Sequence, residues 1–507
     1  MYIKNRKELI LRLTTLSAVS MLFLLFYSSA TSPLTNYYGG DSAFFILVGQ
    51  GMTRGMMPYR DFFDMKGPYM FLIEYLGQLI WYGRTGAFVI QWVNLTASLW
   101  IISAIFQMML GKVKASFLWE LILLIPVLFV ASFTFEGGNL TEEFSLPWLL
   151  MAVYFALRYL KRSEADGNWE HPWQEGFYYG LAFGVLAFIR VTNAAIIGAI
   201  ILTITLGLLV KKKFANVLFN GGAFLLGCVT AVAPMCIFYA ARGLLGEMLN
   251  QVFVFGVQYS TEISFTDKLH KLISDMERCL IWPALPLVVL AGYQVKKWRY
   301  WLLSVSALGL LVIAATMGNA YLHYFILGIP NAVLGLALLA EKLSAEGRGV
   351  KYAVVGTALV LAIAALFGAQ WQYFQARTSF CKALIVEART DSSVETAIES
   401  IKAAIPDEDR DRVYAYGFGS CSSWYAQANL FPAHRYCDWQ KHYIELCPEI
   451  GEELDQWLRN QGPKWIVTMA NTTIHPEQIA GAIAENYRIY AQNDYYIRYC
   501  ADGYMPK

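Results

Sequence analysis

Charge is scarce along this chain. Only 15% of its 507 residues are Asp, Glu, Lys or Arg, whereas 57% are hydrophobic. Soluble domains usually carry about a quarter of charged residues. The composition therefore excludes an ordinary soluble globule and predicts a polytopic α-helical membrane protein.

The patterns of several common function classes are also missing. The formal net charge is only +2, and no Walker, Rossmann, zinc-finger or helix-turn-helix pattern occurs, so nucleic acid is not an expected partner. The sequence has no internal repeat, which disfavours a transporter built from duplicated halves. The cysteines of the C-terminal tail do not have the spacing of a zinc site; they are Cys381, Cys421, Cys437, Cys447 and Cys500.

What the sequence does contain is a series of apolar runs. A basic segment at 1–12 precedes a run at 13–27, which we predict to be the first span, although a cleaved signal peptide has the same pattern. Residues 69–82 are apolar but shorter than a crossing helix requires. Further runs lie at 86–110, 117–135, 144–160, 175–189, 192–210, 214–240, 277–294, 301–317, 322–340 and 352–370.

Lysine and arginine between the runs indicate an orientation. If residues 69–82 do not cross, every basic cluster falls on the same side as the basic N-terminus, which is then cytoplasmic. The clusters lie at 112–114, 161–162, 211–213, 296–299 and 342–351. This arrangement predicts about eleven spans in the cell membrane. If residues 69–82 do cross, basic clusters further along the chain no longer fall on the same side as the N-terminus.

The composition changes near Trp371 to that of a soluble domain. Residues 412–416, 464–469 and 487–499 have the pattern of strands, while 391–405 and 449–460 are typical of helices. We therefore expect two domains, a transmembrane catalytic domain at 1–370 and a small α/β domain at 371–507. The predicted orientation makes the second domain extracytoplasmic.

The loop from Asn36 to Tyr69 concentrates the charge that the rest of the chain lacks. It carries Asp41, Arg60, Asp61, Asp64 and Lys66 between apolar segments. Charge at a membrane surface is costly unless it has a partner or a task. We interpret this loop as the active site.

Other loops predicted on the same side add further acids and cations. They supply Glu136, Glu142 and Glu143, then Arg190 and Asn193, and finally His323 and Tyr324. A carboxylate that takes a proton from a hydroxyl, opposite cations that hold a phosphate, can transfer a group from a phosphate donor to an alcohol. Lysine meets phosphate as a point charge and arginine as a fork.

Each of these residues also has a structural interpretation. Asp41 could be a hydrated residue beyond a span, Asp64 and Lys66 a surface ion pair, and Asp61 a partner of Arg60. Asn139 followed by Glu142 fits a helix start. Arg190 could extend to the membrane surface from a helix end, and His323 could belong to an aromatic belt with Tyr324.

The first loop resembles that of a known superfamily. Asp41-Ser42, followed by Phe62-Phe63-Asp64-Met65-Lys66-Gly67-Pro68, is similar to the first extracytoplasmic loop of the GT-C glycosyltransferases, in the branch of protein O-mannosyltransferases and bacterial aminoarabinose transferases. The segments 136–143 and 318–324, with Pro330 beyond, resemble later loops of bacterial members. Ser42 and Gly67 depart from the pattern, which leaves the subfamily and any metal requirement open.

The resemblance implies a GT-C-like fold and an inverting glycosyltransferase. Its donor would be a sugar linked to polyprenyl phosphate, and its acceptor an extracytoplasmic glycan, lipid or protein. Asp41 would act as the base or as an acid that orients the acceptor, with Asp64 and Glu143 as further catalytic residues. Lys66, Arg190, His323 and Tyr324 would hold the donor phosphate, and Arg60, Asp61, Glu142 and Asn193 would contact the acceptor or support the site. No cofactor is certain, although a divalent cation remains open.

Two other functions compete with this interpretation. A transporter or flippase of a lipid-linked or small solute would carry acids inside its spans, whereas most runs here contain none. A non-catalytic subunit for envelope assembly would use the C-terminal tail as its binding surface. Substitution of Asp41 separates these functions from the transferase.

Overall fold

The structure is a computed structural model. It describes residues 6–111, 116–261, 264, 266–267, 270, 298–299, 301–302, 305–306, 321–345, 350–418 and 420–504. The predicted run at 277–294 and most of the one at 301–317 lie outside these residues. So do the basic residues 112–114 and 296–297 and the segment 318–320.

Most of the described chain is helical. Its α-helices are Arg6–Tyr27, Asp41–Thr53, Pro68–Ile80, Arg84–Leu110, Ser116–Thr134, Thr141–Asp166, Trp173–Ala187, Ala195–Val210, Phe214–Ala240, Leu245–Leu249, Gly256–Thr261, Ile329–Ala345, Val350–Thr390, Ser393–Ala403, Cys421–Ala428, Gln440–Leu446, Pro448–Arg459 and Glu477–Asn486. Short 3-10 turns occupy Val191–Ala194, Leu322–Gly328 and Asp407–Asp409, and a π-helical turn occupies Asn250–Phe255.

The chain divides into two compact units, each assembled from separated segments. One unit, here the helical unit, comprises Met1–Ser28, Ile90–Ala241 and Ser260–Cys381. The other, here the mixed unit, comprises Ser29–Val89, Arg242–Tyr259 and Lys382–Lys507. The predicted domains instead met at residue 370, a position inside the continuous helix Val350–Thr390.

Several helices match the predicted spans. Five helices among the described residues are long and apolar enough to cross a membrane: Arg6–Tyr27, Arg84–Leu110, Phe117–Thr134, Val191–Val210 and Phe214–Ala240. The chain is therefore a multi-pass membrane protein. The helix Pro68–Ile80, which covers the short run at 69–82, has 13 residues, whereas a crossing helix needs about 20. The number of about eleven spans and the orientation of the termini stay predictions.

Close backbone contact and a buried ion pair join helices of the helical unit. A Cβ on Gly180 would overlap the carbonyl oxygen of Phe224, and one on Gly227 would overlap that of Phe177, so these glycines let two helices touch. Elsewhere Arg12, which is fully buried, donates to Glu120 Oε2 at 2.5 Å. The two buried charges stabilise each other, because either charge alone would lose its hydration and gain no ion pair in return.

The mixed unit contains a four-stranded sheet in the order β1-β2-β4-β3. The strands are β1 (Val413–Ala415), β2 (Trp465–Met469), β3 (Tyr487–Gln492) and β4 (Tyr496–Ala501). Strand β1 pairs with β2 in parallel, whereas β4 is antiparallel to both β2 and β3. The strands predicted in the tail are confirmed, as are the helices predicted at 391–405 and 449–460.

Residues from the first loop enter the core of this unit. The Phe63 ring packs against Phe255, Tyr436 and Tyr443, with centroids 4.9, 5.0 and 5.2 Å away. Its backbone N–H also donates to the carbonyl oxygen of Arg435 at 3.0 Å. The loop that carries the predicted site is therefore anchored to the C-terminal part of the chain by a buried aromatic side chain.

The buried carboxylate of Asp409 contributes to the stability of the sheet. It is fully buried and accepts hydrogen bonds from Lys464 Nζ at 2.7 Å, Trp465 Nε1 at 3.0 Å and Tyr504 Oη at 2.5 Å. Burial alone would raise the pKa of Asp409, but the hydrogen bonds from Lys464, Tyr504 and Trp465 outweigh it and lower the pKa. The ionised group thus stabilises the fold above the ordinary Asp pKa of about 3.9, and this contribution is lost as the pH falls further.

We expect Asp409→Asn to destabilise the chain at pH 7 by about 1.5–3 kcal/mol, the usual contribution of hydrogen bonds to a charged group. Thermal unfolding of the full chain in detergent would measure the change at pH 7 and at pH 3. The variant should lose less stability than the wild type between these two values. Equal losses would contradict the prediction.

Candidate functional site

The start of the helix Asp41–Thr53 positions the first acid of the predicted site. Gly39 has a φ of +71°, a left-handed conformation that glycine adopts without strain, and it turns the chain into the helix. Asp41 is the first residue of that helix. Negative charge at this end is favoured by the unpaired backbone N–H groups and the helix dipole.

Lys66 lies between two carboxylates. Its Nζ is 3.9 Å from Asp41 Oδ2 and 3.6 Å from Asp64 Oδ1. The side chain of Asp41 is 32% exposed and that of Lys66 15%, whereas that of Asp64 is only 5% exposed. Asp41 and Lys66 therefore lie close together, and of the three residues Asp41 is the one most open to solvent.

Hydrogen bonds fix the loop that carries Asp64 and Lys66. Gln251 accepts from the N–H of Asp64 at 3.2 Å and donates through Nε2 to the carbonyl oxygen of Tyr59 at 2.9 Å. Tyr59 has a φ of 70°, and its hydroxyl donates to the carbonyl oxygen of Lys66 at 2.9 Å. Pro68 then begins the next helix, at a position where its fixed φ suits the first turn.

The electrostatics of Asp64 differ from those of a surface ion pair. Burial raises its pKa, Lys66 opposes that rise, and Asp41 adds to it; the pKa of Asp64 lies above its ordinary value. Asp64 Oδ1 also accepts from the backbone N–H of Lys66 at 3.2 Å. The surface-pair interpretation of Asp64 and Lys66 is therefore wrong for Asp64, because that residue is 4% exposed.

Arg60 and Asp61 form a pair of their own in the same loop. Arg60 Nη2 lies 2.8 Å from Asp61 Oδ2, and the Arg60 side chain is 55% exposed. Asp61 Oδ2 also accepts from the N–H of Met57 at 2.6 Å. The expectation that Asp61 pairs with Arg60 is confirmed, and its contacts with Arg60 and Met57 both lie within the loop.

In the helical unit, the turn at 136–139 adopts an unusual backbone. Four successive residues have positive φ: Glu136 at 42°, Gly137 at 118°, Gly138 at 78° and Asn139 at 63°. Such a conformation is costly for Glu136, which has a side chain, and readily adopted by glycine.

Glu143 holds this turn. It is fully buried, and its Oε2 accepts from the N–H of Asn139 and from Gln91 Nε2, both at 2.8 Å. The helix start proposed for Asn139 and Glu142 is wrong in detail, because Leu140 caps the helix without a side-chain bond and Glu143 reaches back to the N–H. This geometry favours a structural role for Glu143 over the predicted catalytic one.

Glu142 and Arg190 belong to one hydrogen-bonded group. Arg190 Nη1 lies 3.0 Å from Glu142 Oε1, and Nη2 donates to Tyr324 Oη at 2.9 Å. Arg190 is 17% exposed, whereas Glu142 is 1% exposed. The structure therefore brings together three of the predicted site residues of the helical unit, with Arg190 at their centre.

Asn193 supports the helix that carries Glu142. It is fully buried and donates through Nδ2 to Ser145 Oγ at 2.8 Å and to the carbonyl oxygen of Thr141 at 3.2 Å. These contacts connect the turn after Arg190 to the first turn of the helix Thr141–Asp166. Asn193 is thus placed to support the group rather than to contact an acceptor.

His323 pairs with Glu136, an acid that the sequence predicted only to lie on the same side of the membrane. Its Nδ1 lies 2.6 Å from Glu136 Oε2, and the same carboxylate oxygen accepts from the N–H of His323 at 3.2 Å. The His323 ring stacks on Tyr321 with centroids 5.4 Å apart and meets Tyr324 edge-on at 4.6 Å. His323 therefore has both the aromatic neighbours of the belt interpretation and a specific acidic partner.

Two glutamines that organise these clusters were missed. Gln251 fixes the first loop from a position 187 residues away from Asp64, and Gln91 binds Glu143 from 52 residues away. An isolated glutamine beside an apolar run carries no pattern that distinguishes it. Only the fold reveals their partners.

Within the part of the chain that the structure describes, no group of three or more His, Cys, Asp or Glu side chains is placed to hold a metal ion. At the first loop, the ammonium of Lys66 already contacts both carboxylates. A divalent cation at that position would meet its repulsion. The cation that the sequence leaves open stays an untested expectation.

Comparison with solved structures finds proteins with a similar fold. The chain is similar to ArnT from Cupriavidus metallidurans bound to undecaprenyl phosphate, with a TM-score of 0.61 at 14% identity over 96% of this chain and 97% of that one. The apo state of ArnT matches with a TM-score of 0.61 at 13% identity over the same shares. The apo oligosaccharyltransferase of Archaeoglobus fulgidus matches with a TM-score of 0.50 at 11% identity over 90% of this chain and 69% of that one.

A scan against protein-family models finds no match, and a search of curated proteins finds none either. At such low identities the structural likeness concerns the fold alone. The chain shares the fold of ArnT, in agreement with the resemblance of the first loop to bacterial aminoarabinose transferases.

The raised pKa of Asp64 makes the stability of the folded chain depend on pH. Because its pKa is raised in the folded chain, the folded state holds this proton more tightly, and stability falls as the pH rises above the ordinary Asp pKa. We expect Asp64→Asn to raise the melting temperature of the full chain at pH 7. The asparagine can still accept from the N–H of Lys66, so the loop contact is retained.

The measurement is thermal unfolding at pH 7 and pH 5, with Asp61→Asn as the matched control. That control removes the charge of an acid that pairs with the exposed Arg60, and the asparagine can still accept from the N–H of Met57. We therefore expect a change within about 0.5 kcal/mol. A melting temperature of Asp64→Asn below that of the wild type at pH 7 would refute the argument from burial.

Proposed function

We propose that this protein is a glycosyltransferase that moves a sugar from a polyprenyl-phosphate carrier to an extracytoplasmic glycan, lipid or protein. The observation that carries the proposal is the meeting of Asp41, Lys66 and Asp64 in a chain whose fold matches that of ArnT over nearly its full length. ArnT binds undecaprenyl phosphate, and the proposal extends that class of lipid to this chain.

We assign roles within the first loop from the solvent exposure of its charged side chains. Asp41 and Lys66 retain solvent access, whereas Asp64 is sealed. We assign Asp41 to contact with the acceptor and Lys66 to contact with the donor phosphate. Asp64 acts as a positioning residue, because it touches Lys66 through both the ammonium and the backbone N–H.

The proposed reaction is a single displacement at the anomeric carbon. Asp41 accepts the proton of the acceptor hydroxyl as its oxygen forms a bond to that carbon. The bond from the same carbon to the phosphate oxygen breaks, and the polyprenyl phosphate leaves with the electron pair. In this proposal Lys66 neutralises the charge that develops on the leaving group. One displacement inverts the anomeric centre, so one base suffices.

The helical unit offers a second group of proposed phosphate ligands. Arg190 has a fork suited to phosphate, and Glu142 and Tyr324 orient it. Glu136 orients His323 in the same way. We propose Arg190, His323 and Tyr324 as ligands of a phosphate within the helical unit, whereas the contacts of Glu143 and Asn193 support the surrounding backbone.

Substitution of Asp41 tests the proposal. Because a positioned general base contributes about 10²–10⁴-fold, Asp41→Asn should reduce sugar transfer by at least about 10²-fold while the melting temperature stays close to that of the wild type. The assay measures release of undecaprenyl phosphate from a panel of undecaprenyl-phosphate-linked sugars, with the full chain in lipid nanodiscs. Asp61→Asn is the control and should change the rate by less than about threefold.

Transfer by Asp41→Asn at the wild-type rate would exclude Asp41 as the base. Absence of transfer in the wild type, together with carrier-dependent movement of lipid across the bilayer, would favour a flippase. In that case, a variant of the first loop should leave movement of the lipid unchanged.

Lys66 provides an independent test of donor binding. Lys66→Met removes a charge-assisted contact of about 1.5–3 kcal/mol, which corresponds to about a 10–150-fold loss in donor affinity. Lys66→Arg retains the charge and should recover part of the affinity. Titration with undecaprenyl phosphate in nanodiscs measures both variants, and unchanged affinity in Lys66→Met would contradict the assignment.

A further inference from the structure

Trp439 has an unusual combination of backbone and exposure. Its φ is 49°, in the left-handed region that bulky residues rarely adopt. Its side chain is nevertheless 41% exposed, so packing of the indole does not account for this conformation. Backbone outliers of this kind persist where the surroundings impose them, and they concentrate at functional sites.

The residues on either side of Trp439 impose its conformation. Asp438 is buried, and its Oδ1 accepts from the N–H of Cys421 at 2.8 Å and from the N–H of Trp439 itself at 3.1 Å. Gln440 is also buried and donates through Nε2 to the carbonyl oxygen of Ala415 at 3.0 Å. Two anchored polar side chains thus hold the intervening indole outward.

The indole lies beside the start of the Asp41 helix. A Cβ built on Gly40 would lie 3.4 Å from Cζ2 of Trp439, so the ring rests against the backbone of that glycine. Gly40 immediately precedes Asp41, and consecutive Cα atoms are about 3.8 Å apart. Trp439 and Asp41 belong to the same compact unit. An exposed aromatic face therefore lies about one residue from the proposed base.

A sugar ring matches this surface chemically. One face of the ring presents C–H groups, which pack on the apolar indole, while its hydroxyls remain available to polar groups at the edge. Ligand sites in general combine aromatic walls with a few placed polar groups. The indole is large and rigid and has a polar N–H at its edge. Asp41, the residue after Gly40, carries a carboxylate that can accept a hydrogen bond from a hydroxyl.

An interfacial belt does not explain these features as well. Trp81 is 63% exposed in the same unit, as expected for a belt residue, and its backbone is extended with φ −155° and ψ 121°. A belt residue needs no left-handed backbone and no buried anchors on both sides. Trp81 therefore serves as a matched comparison for Trp439.

We propose that Trp439 is the platform on which the sugar ring of a substrate stacks beside Asp41. The inference rests on the proposed function and deepens it by naming a residue that recognises the sugar. The ring belongs either to the lipid-linked donor or to a glycan acceptor, and the two sources share the same chemistry.

The test compares Trp439→Ala, Trp439→Phe and Trp81→Ala in the full chain in nanodiscs. We expect Trp439→Ala to raise the KM for one sugar substrate by about tenfold with a smaller change in kcat, and Trp439→Phe to restore most of the loss because it keeps an aromatic face. Trp81→Ala should stay within about twofold, because it lies at the far end of a helix of 13 residues that begins just after Lys66, about 20 Å away.

The two substrates are titrated separately, so the KM that rises identifies whether the donor or the acceptor carries the stacked ring. Equal effects in Trp439→Ala and Trp81→Ala would overturn the inference. So would a loss in Trp439→Ala that falls on kcat alone and that Trp439→Phe does not restore.

A binding measurement separates this inference from the proposed function. Saturation-transfer NMR uses the methyl glycosides of glucose, mannose and arabinose as probes of the full chain. Transfer of saturation to at least one probe, lost in Trp439→Ala and retained in Trp81→Ala, supports the platform even if no sugar transfer is found. Sugar transfer abolished by Asp41→Asn, with binding and KM unaffected by Trp439→Ala, overturns the platform and leaves the function intact.

Discussion

A carboxylate buried beside an ammonium constrains the first loop of this protein. Removing the charge of Asp64 from water costs several kcal/mol unless a partner offsets it, and Lys66 lies 3.6 Å away. The rest of the loop is built to keep this pair together. Gln251 hydrogen-bonds the backbone of Asp64 and of Tyr59, and the Tyr59 hydroxyl donates to the carbonyl oxygen of Lys66. Phe63 packs into an aromatic core. Asp41, at the start of a helix, completes a group in which one acid is sealed and the other open to solvent.

The helical unit shows how burial separates structural charges from candidates for binding. Glu143 is fully buried, and its bonds hold a turn in which four successive residues have positive φ. The side chains of Arg190 and His323 are 17% and 11% exposed, and each contacts an acid that orients it. Side chains that keep solvent access next to fixed partners are preorganised to meet a charged ligand. The contacts of Glu143 thus favour its structural interpretation, whereas the binding roles of Arg190 and His323 stay proposals.

Local sequence patterns predicted much of the secondary structure and part of the site. Hydrophobic periodicity located the strands of the tail and the long apolar helices, because these depend on neighbours in the sequence. The proximity of Asp41 and Lys66 was also predictable in part, since both lie in the segment 36–69 between apolar runs. The discontinuous mixed unit was not, because Phe63 and Gln251 reach partners far along the chain through contacts that no periodicity records. The structural role of Glu143 depends in the same way on Gln91, a residue without a distinguishing pattern.

The central claim is that Lys66 receives the phosphate of a carrier lipid beside Asp41. The most direct measurement is a cryo-electron microscopy structure of the full chain in nanodiscs with undecaprenyl phosphate. The account predicts phosphate oxygens within hydrogen-bonding distance, about 2.7–3.2 Å, of Lys66 Nζ, with the carboxylate of Asp41 facing the same space. Phosphate density bound elsewhere, with Lys66 still held between its two carboxylates, would contradict the account.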